Sequence, residues 1–274
     1  MYSQQSEPVR PVTPQRLRAM KADGEPIVVI TAYDASFAQQ VDQAGIDVVL
    51  VGDSLGMVVQ GHDSTVPVTL DEMIYHCRAV SRGLQRGLLI ADMPFQAAAF
   101  VGQAVEASAR LMREGGAQMV KLEGGGHVVE IVAALSERCI PVCAHLGLTP
   151  QAVHKLGGYR VQGREQSAAD ALVQDARALE QAGADLLVLE CVPRKLAAQV
   201  SRALSIPVIG IGAGSEVDGQ VLVIYDLLGI TPGKRPKFSR DFLRDGEGGI
   251  AEALARYAAA VRSGEFPAAQ HGFD

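Results

Sequence analysis

Short apolar runs alternate along the chain with longer segments in which apolar residues recur at helical spacing. The run from Val48 to Val51 is continuous and rich in β-branched residues, which is typical of a strand buried on both faces of a parallel sheet. Similar runs recur at regular intervals. We predict strands at residues 27–31, 47–51, 88–91, 118–122, 141–144, 185–189, 206–209 and 220–224.

Helix signals lie between these runs. Thr69 and Glu72 have the spacing of a capping box, and Gly45 follows the last periodic residue of an earlier segment. A long loop is expected at residues 147–166. We predict helices at residues 14–24, 36–44, 70–82, 97–114, 127–137, 168–181, 193–204 and 241–262.

Eight short buried strands that alternate with helices predict an α/β protein with a (β/α)₈ TIM barrel and an extra N-terminal helix. An open doubly wound sheet is the second choice, which the even spacing and the strand count disfavour. Residues 1–12 are expected to form a flexible N-terminal lead, and residues 13–274 a single catalytic domain. The extra helix begins at Thr13-Pro14, and we expect it to cover one end of the barrel or a neighbouring subunit.

Composition narrows the class of protein. The chain has 274 residues, 48% of them hydrophobic, and a formal net charge of -6, so a general nucleic-acid binder is not expected. No signal-peptide layout and no apolar run long enough for a bilayer are present, so we expect a cytoplasmic protein without membrane contact. Four scattered cysteines are expected to be reduced and buried: Cys77, Cys139, Cys143 and Cys191.

Charged and polar residues follow five consecutive strands of the predicted barrel. A single aspartate at such a position is commonly a helix cap, but the set as a whole is harder to explain in that way. Carboxylates gathered at the barrel mouth repel one another unless a cation or shared protons intervene, and oxygen ligands favour Mg²⁺. We therefore predict a metal-assisted active site formed by these residues: Asp53, Ser54, Asp92, Lys121, Glu123, His145 and Glu190.

Four of these residues allow a more specific interpretation. Lys121 and Glu123 are two apart on one strand, so both point to the same face, either toward one ligand or as an ordinary ion pair. Glu190 ends an apolar run, where desolvation would make it a good base; pairing with Arg194 is the structural alternative. His145 is a candidate ligand, proton relay, hydrogen-bond donor or structural histidine.

Two further stretches lie at the predicted mouth. Residues 210–214, Gly-Ile-Gly-Ala-Gly, could bind phosphate through backbone N–H groups or could simply form a turn. Residues 231–237 carry three basic side chains and are interpreted as a solvated loop that could also screen an anionic substrate.

The ordered set of motifs resembles the ketopantoate hydroxymethyltransferase family of pantothenate synthesis, from about Thr31 to Phe266. The resemblance rests on these motifs: Thr31-Ala-Tyr-Asp34, Gly52-Asp-Ser-Leu-Gly56, Ala91-Asp-Met-Pro-Phe95, Val120-Lys-Leu-Glu-Gly124, His145-Leu-Gly-Leu-Thr-Pro150, Leu189-Glu-Cys-Val-Pro193, Gly210-Ile-Gly-Ala-Gly214 and Asp218-Gly-Gln220.

The resemblance implies a barrel of the phosphoenolpyruvate/pyruvate type, Mg²⁺ as cofactor, and a homo-oligomer that is commonly a decamer. It implies transfer of a hydroxymethyl group from 5,10-methylenetetrahydrofolate to 3-methyl-2-oxobutanoate, which gives 2-dehydropantoate. The implied site residues follow by role. Metal ligands would be Asp53, Asp92 and, through water, Glu123; contacts to the keto acid would come from Asp53, Ser54, Asp92 and Lys121; the proton acceptor would be Glu190.

Two positions depart from the family pattern. Tyr225 stands where a histidine is expected before Asp226, and Gln270 stands where a glutamate is expected before His271. Both departures concern the rim or subunit contacts. Two other functions remain open, namely a Mg²⁺-dependent 2-hydroxy-acid lyase on the same barrel and a catalytically silent barrel protein.

Overall fold

The computed structural model describes residues 10–233 and 235–274. Eight parallel strands form a closed barrel in the order β1 to β8, which confirms the predicted (β/α)₈ fold. The strands are β1 Ile27–Thr31, β2 Val48–Val51, β3 Leu88–Asp92, β4 Met119–Glu123, β5 Val142–Gly147, β6 Leu186–Glu190, β7 Val208–Ile211 and β8 Gly219–Leu222.

Helices connect most of the successive strands and surround the barrel. The helices are α1 Pro14–Asp23, α2 Ala35–Gln43, α3 Leu55–Val58, α4 Leu70–Ser81, α5 Val101–Arg113, α6 Val129–Ser136, α7 Val153–Leu156, α8 Gln166–Gln181, α9 Arg194–Ala203, α10 Ile224–Leu227 and α11 Ile250–Arg262. Short 3₁₀ turns are found at Gly126–Val128, Pro150–Ala152 and Ala269–His271. The capping box predicted at Thr69 and Glu72 is present at the start of α4.

Alternate residues of each strand contribute to two separate cores. In β4, Met119 packs inside the barrel, whereas Val120 and Leu122 pack outward against the surrounding helices. The inner core is filled by large aliphatic side chains such as Ile90 and Val188. The barrel interior is therefore a packed core, and chemistry can occur only at its ends.

The N-terminal helix α1 covers the amino-terminal end of the barrel. Leu17 and Met20 are buried and belong to the inner core. The predicted lead falls mostly on residues 1–9, which lie outside the described residues. Val12, which the prediction placed in that lead, is buried, and its N–H donates to the carbonyl of Arg86 at 2.8 Å.

The strand boundaries differ from the prediction in a way that affects the site. β3, β4 and β6 each extend one residue further than predicted, and β5 extends to Gly147. The charged residues expected just beyond these strands are therefore part of the sheet. Backbone hydrogen bonds fix the sheet register. The register therefore determines where the side chains of these residues lie.

Other predicted boundaries were wrong for local reasons. The last helix starts at Ile250 rather than at residue 241, because the preceding glycine-rich stretch 245–249 disfavours helix. β7 begins at Val208, since Pro207 lacks the N–H group of a regular strand residue. The strand predicted at 220–224 ends at Leu222, and Ile224 begins α10. The long loop contains a 3₁₀ turn and α7.

All four cysteines are free thiols, as predicted, but Cys139 is exposed rather than buried. Cys139 lies between α6 and β5 and has a φ of 60°, at the sharp turn that precedes the strand. Within the residues that the structure describes, no helix combines the length and the apolar character needed to span a membrane.

Candidate active site at the carboxyl-terminal mouth of the barrel

The structure brings the predicted strand-end residues together at one end of the barrel. β3 and β4 pair so that Asp92 stands opposite Lys121, and β4 and β5 pair so that Glu123 stands opposite His145. In the next pair, Gly147 of β5 stands opposite Glu190 of β6. The side chains of this set point inward, above the apolar layers of the inner core.

Lys121 is the positive centre of this set. Its ammonium group donates to Asp92 Oδ1 and lies 3.9 Å from Glu123 Oε1. The side chains of all three residues are 5% exposed. The same-face interpretation of Lys121 and Glu123 is therefore correct, and the face is the barrel interior.

The backbone after β2 approaches this pair closely. The N–H of Asp53 donates to Asp92 Oδ2 at 3.0 Å. A Cβ atom at Gly52 would lie 2.8 Å from Ser54 Oγ and 3.3 Å from Asp92 Oδ2, so a larger residue would disturb this approach. Glycine at position 52 thus permits Asp53 to sit beside Asp92.

Burial and neighbouring charges shift the ionisation of these groups. Burial raises the pKa of Asp53 well above its usual range, and the nearby carboxylates of Asp92 and Glu123 raise it further. Burial alone would lower the pKa of Lys121, but the surrounding carboxylates outweigh that effect and raise it. The carboxylates therefore favour the charged form of Lys121, whereas burial and like charges oppose ionisation of Asp53.

His145 lies between two glutamates. Its Nδ1 is 3.3 Å from Glu123 Oε1, and its Nε2 is 3.4 Å from Glu190 Oε2. Neither ring nitrogen has a well-aligned hydrogen-bond partner among the described residues, although the ring is buried. Burial and Lys121 lower the pKa of His145, but the two glutamates outweigh them and raise it to about 9.

The pKa of Glu123 shifts in the opposite direction to that of His145. Burial raises its pKa, but His145, Lys121 and the N–H of Gln151 outweigh burial, so the pKa of Glu123 is lowered. Glu190 is more open, with 15% of its side chain exposed. The row from Glu123 through His145 to Glu190 can therefore move or hold a proton at the edge of the buried set.

Ser54 stands at the start of α3 with its hydroxyl toward Tyr33. The two hydroxyl groups share a hydrogen bond of 2.9 Å. The Tyr33 ring contacts Tyr225, with 6.0 Å between ring centroids. Tyr225, which stands where a histidine is expected, is therefore connected to Ser54 through Tyr33. It lies closer to the predicted site than the rim position that was expected for it.

The second residue that departs from the family pattern, Gln270, lies near the end of the chain. Gln270 is exposed, and the adjacent His271 is buried near the end of the chain, where its Nδ1 accepts from the N–H of Ala268 at 3.0 Å. Neither residue has a described contact with the strand-end set.

Gln151 is the main residue that sequence reasoning missed. Its side-chain amide donates to Asp53 Oδ2 at 2.8 Å and to the carbonyl of Met93 at 2.8 Å, and its N–H donates to Glu123 Oε2 at 3.0 Å. The motif recognised at residues 145–150 stops one residue before it. Because Gln151 lies in a loop, no strand periodicity pointed to it.

The glycine-rich stretch after β7 serves chain packing. A Cβ atom at Gly212, where φ is 61°, would lie 2.9 Å from the ring of Phe238 and 3.1 Å from that of Phe273. These rings cover the backbone at Gly212, which supports the turn interpretation for this residue. The neighbouring Arg235 and Lys237 pair with Asp241 and with the Gly272 carbonyl, respectively.

The acid set can be tested for its fit to a divalent cation. Within residues 10–233 and 235–274, no group of three or more His, Cys, Asp or Glu side chains is arranged as a preformed metal cage. Mg²⁺ typically needs only one or two protein carboxylates and takes its other oxygens from substrate and water. Asp53 and Asp92 meet that requirement, whereas Lys121 stands between Asp92 and Glu123.

Comparison with known proteins identifies relatives over nearly the whole chain. A family model described as ketopantoate hydroxymethyltransferase matches residues 11–269. A protein of Alkalilimnicola ehrlichii named 3-methyl-2-oxobutanoate hydroxymethyltransferase is 61% identical over 264 residues, which cover 96% of this chain and 95% of that protein. A protein of Halorhodospira halophila with the same name is 56% identical over 96% of this chain and 95% of its own length.

Solved structures share the fold at much lower sequence identity. A phosphonopyruvate hydrolase in complex with oxalate and Mg²⁺ superposes with a TM-score of 0.59 at 16% identity. The match covers 77% of this chain and 80% of the hydrolase. At this level of identity, the likeness concerns the barrel alone.

The electrostatics of His145 yield a prediction. Its pKa is raised to about 9, so the ring should be charged at pH 7, and its stabilising contribution should be complete below pH 6.5 and lost as pH rises through about 9. We expect ¹³C NMR of labelled histidine to show a midpoint of about 9, assigned through the resonance missing from His145→Asn. In Glu123→Gln, which lacks one adjacent charge, the midpoint should fall. A wild-type midpoint at or below 6.5 would show that the two glutamates do not outweigh burial.

Proposed function

The chain belongs to the ketopantoate hydroxymethyltransferase family of transferases, and from this premise we propose that it transfers a hydroxymethyl group from 5,10-methylenetetrahydrofolate to 3-methyl-2-oxobutanoate. The product would be 2-dehydropantoate. The proposal is supported above all by the buried cluster of Asp53, Asp92, Lys121 and Glu123, which offers charged groups of both signs to a small 2-oxo acid.

Substrate would bind against the polar layer at the barrel mouth. Lys121, whose ammonium is buried, would offset the negative charge of the keto acid's carboxylate. Asp53, Asp92 and the Ser54 hydroxyl would orient the 2-oxo acid group. Below them, the packed inner core leaves no route through the barrel, so substrate and donor must enter from the same end.

A divalent cation, Mg²⁺ in our proposal, would be held by Asp53 and Asp92, with Glu123 acting through water. When bound, such an ion polarises the ketone and carboxylate oxygens and stabilises negative charge that develops on them. The oxalate and Mg²⁺ found in a hydrolase of the same fold provide the precedent for this choice.

Glu190 would remove the proton from C3 of the keto acid. This proton lies next to a ketone and is only weakly acidic, so a positioned carboxylate is needed. The methylene carbon is bonded to two folate nitrogens. Water would add to this carbon as one carbon–nitrogen bond breaks and would supply the hydroxyl oxygen. The C3 electron pair would attack the same carbon and form the new carbon–carbon bond as the second carbon–nitrogen bond breaks, and the two freed nitrogens would take up the protons from water and from C3. His145, 3.4 Å from Glu190, is charged at pH 7, so it would orient the Glu190 carboxylate. As a relay, it would release a proton of its own toward Glu123 before it takes up the abstracted one.

Two other functions suit the same barrel less well. A 2-hydroxy-acid lyase on this barrel is expected to carry a catalytic cysteine in a mobile loop, whereas residues 147–166 of this chain contain none. A silent barrel protein would be expected to have lost part of the charged set, and all its members are present. The decamer and the cytoplasmic location both remain predictions.

The first test uses the wild-type protein in deuterated water with Mg²⁺ and 3-methyl-2-oxobutanoate. We expect C3 deuteration without folate, and 2-dehydropantoate only after addition of 5,10-methylenetetrahydrofolate, both followed by NMR. Deuteration without any folate-dependent product would favour another enolate enzyme such as the lyase. Neither deuteration nor product would support the silent protein.

The role of Glu190 can be tested by Glu190→Gln. The amide cannot accept the proton, so C3 exchange should fall by about 10²–10⁴-fold while Mg²⁺ and keto acid still bind. Glu216→Gln provides a matched control, since Glu216 pairs with Arg202 at an exposed position. Exchange in Glu190→Gln at the wild-type rate would place the base elsewhere.

The proposed ligands differ in the size of their expected effects. Asp53→Asn and Asp92→Asn should each weaken Mg²⁺ binding by more than about 100-fold, because they remove direct ligands. Glu123→Gln, which removes a partner acting through water, should weaken it by about 10–100-fold. Calorimetric titration of each folded variant measures the affinity. Wild-type affinity in both aspartate variants would remove them from the ligand set.

A further inference from the structure

One loop residue connects three strand ends of the site. The side-chain amide of Gln151 donates to Asp53 Oδ2, which follows β2, and to the carbonyl of Met93, which follows β3. Its backbone N–H donates to Glu123 Oε2 at the end of β4. Gln151 itself lies in the 3₁₀ turn after β5. A single residue therefore links four consecutive β-strands of the barrel.

The segment that carries Gln151 spans the mouth. At its start, the N–H of Leu148 donates to the carbonyl of Glu190 at 2.8 Å, and at its end the N–H of Gln162 donates to the carbonyl of Cys191 at 2.9 Å. Between them, the hydroxyl of Tyr159 donates to Met57 Sδ at 3.3 Å. Segment 148–162 is thus anchored beside Glu190 and reaches across to the β2 side.

The chemistry of the contact explains why an amide stands there. Both acceptors of the Gln151 amide, a carboxylate and a carbonyl oxygen, require N–H donors, and one amide NH₂ group supplies two. Asp53 is buried near two other carboxylates, so a donor to its Oδ2 stabilises its charged form. An apolar side chain of the same size would fill the space without that effect.

We propose that Gln151 is a positioning residue that joins segment 148–162 to Asp53 and Glu123, so that closure of this segment over the mouth and orientation of the two acids are one event. The inference deepens the proposed function and rests on it for the role of the acids. It assigns Gln151 no direct contact with the reacting atoms.

Gln151→Met removes the side-chain donors and keeps the volume, and Gln162→Met is the matched control. Gln162 lies in the same segment, but its side chain donates to the Arg160 carbonyl and not to the acids. Partners of metal ligands typically change affinity by about 10–100-fold. We therefore expect Gln151→Met to weaken Mg²⁺ binding at least about 10-fold by calorimetry without keto acid, and Gln162→Met to leave it unchanged.

Opening of the segment can be measured without any ligand. Lys155, Arg160 and Arg164 are exposed trypsin sites in or next to the segment. Cleavage at such sites reports local opening. In Gln151→Met, we expect faster trypsin cleavage at these three sites than in the wild type in metal-free buffer, and weaker protection by Mg²⁺ plus keto acid.

Kinetics provide a further readout. Gln151→Met should raise the apparent KM for Mg²⁺ more than it lowers kcat at saturating metal, because saturating metal restores the orientation of Asp53. Equal loss of kcat at every Mg²⁺ concentration would overturn the positioning role.

The outcomes separate this inference from the proposed function. Wild-type Mg²⁺ affinity together with wild-type trypsin sensitivity in Gln151→Met would overturn the inference and leave the proposed function intact. If the wild type bound no Mg²⁺, the proposed function would fail. Trypsin cleavage alone would then decide whether Gln151 holds the segment, faster cleavage supporting it and unchanged cleavage refuting it.

Discussion

The balance of buried charge at the barrel mouth is the constraint on which the site depends. Asp92 and Glu123 lie within 3.9 Å of the Lys121 ammonium, the charge of Asp53 also acts on it, and the imidazole of His145 provides the second positive charge. Buried charge is tolerated only when it is paired. Burial, together with the excess of carboxylates, raises the pKa of Asp53. A cation entering the site would take the place of the proton that this pKa favours.

Sheet register holds this balance in place. The charged residues lie within the last three residues of their strands, and an inner-core residue lies two positions before three of them: Ile90 before Asp92, Met119 before Lys121, and Cys143 before His145. The same strands therefore supply apolar packing below and chemistry above. Since strand residues are fixed by hydrogen bonds on both sides, the backbone positions that carry the charged side chains are set by the fold.

The sequence was most informative where a local pattern determines structure. Apolar periodicity predicted all eight strands, and the charged residues at their ends predicted which side chains gather at the barrel mouth. Residues alone left the role of His145 open, because its function depends on which carboxylates face it from other strands. Gln151 was missed for a related reason, since the path of a loop depends on long-range contacts that no local pattern encodes. The start of α11 was missed because helical spacing was extended through glycines.

This difference between strands and loops has a functional consequence. Electrostatic interactions in a buried site change steeply with distance, so charged groups are best placed on the rigid barrel. A neutral donor such as Gln151 can be carried by a segment that opens, because its withdrawal leaves the charged residues on their strands. The hydrolase that shares this barrel at 16% identity has the same scaffold, and on such a scaffold chemistry can change through the strand ends while access changes through the loops. Segment 148–162 is a loop at the mouth, and it also contacts the acids at the strand ends. Access to the site and arrangement of its acids can therefore be coupled in this segment.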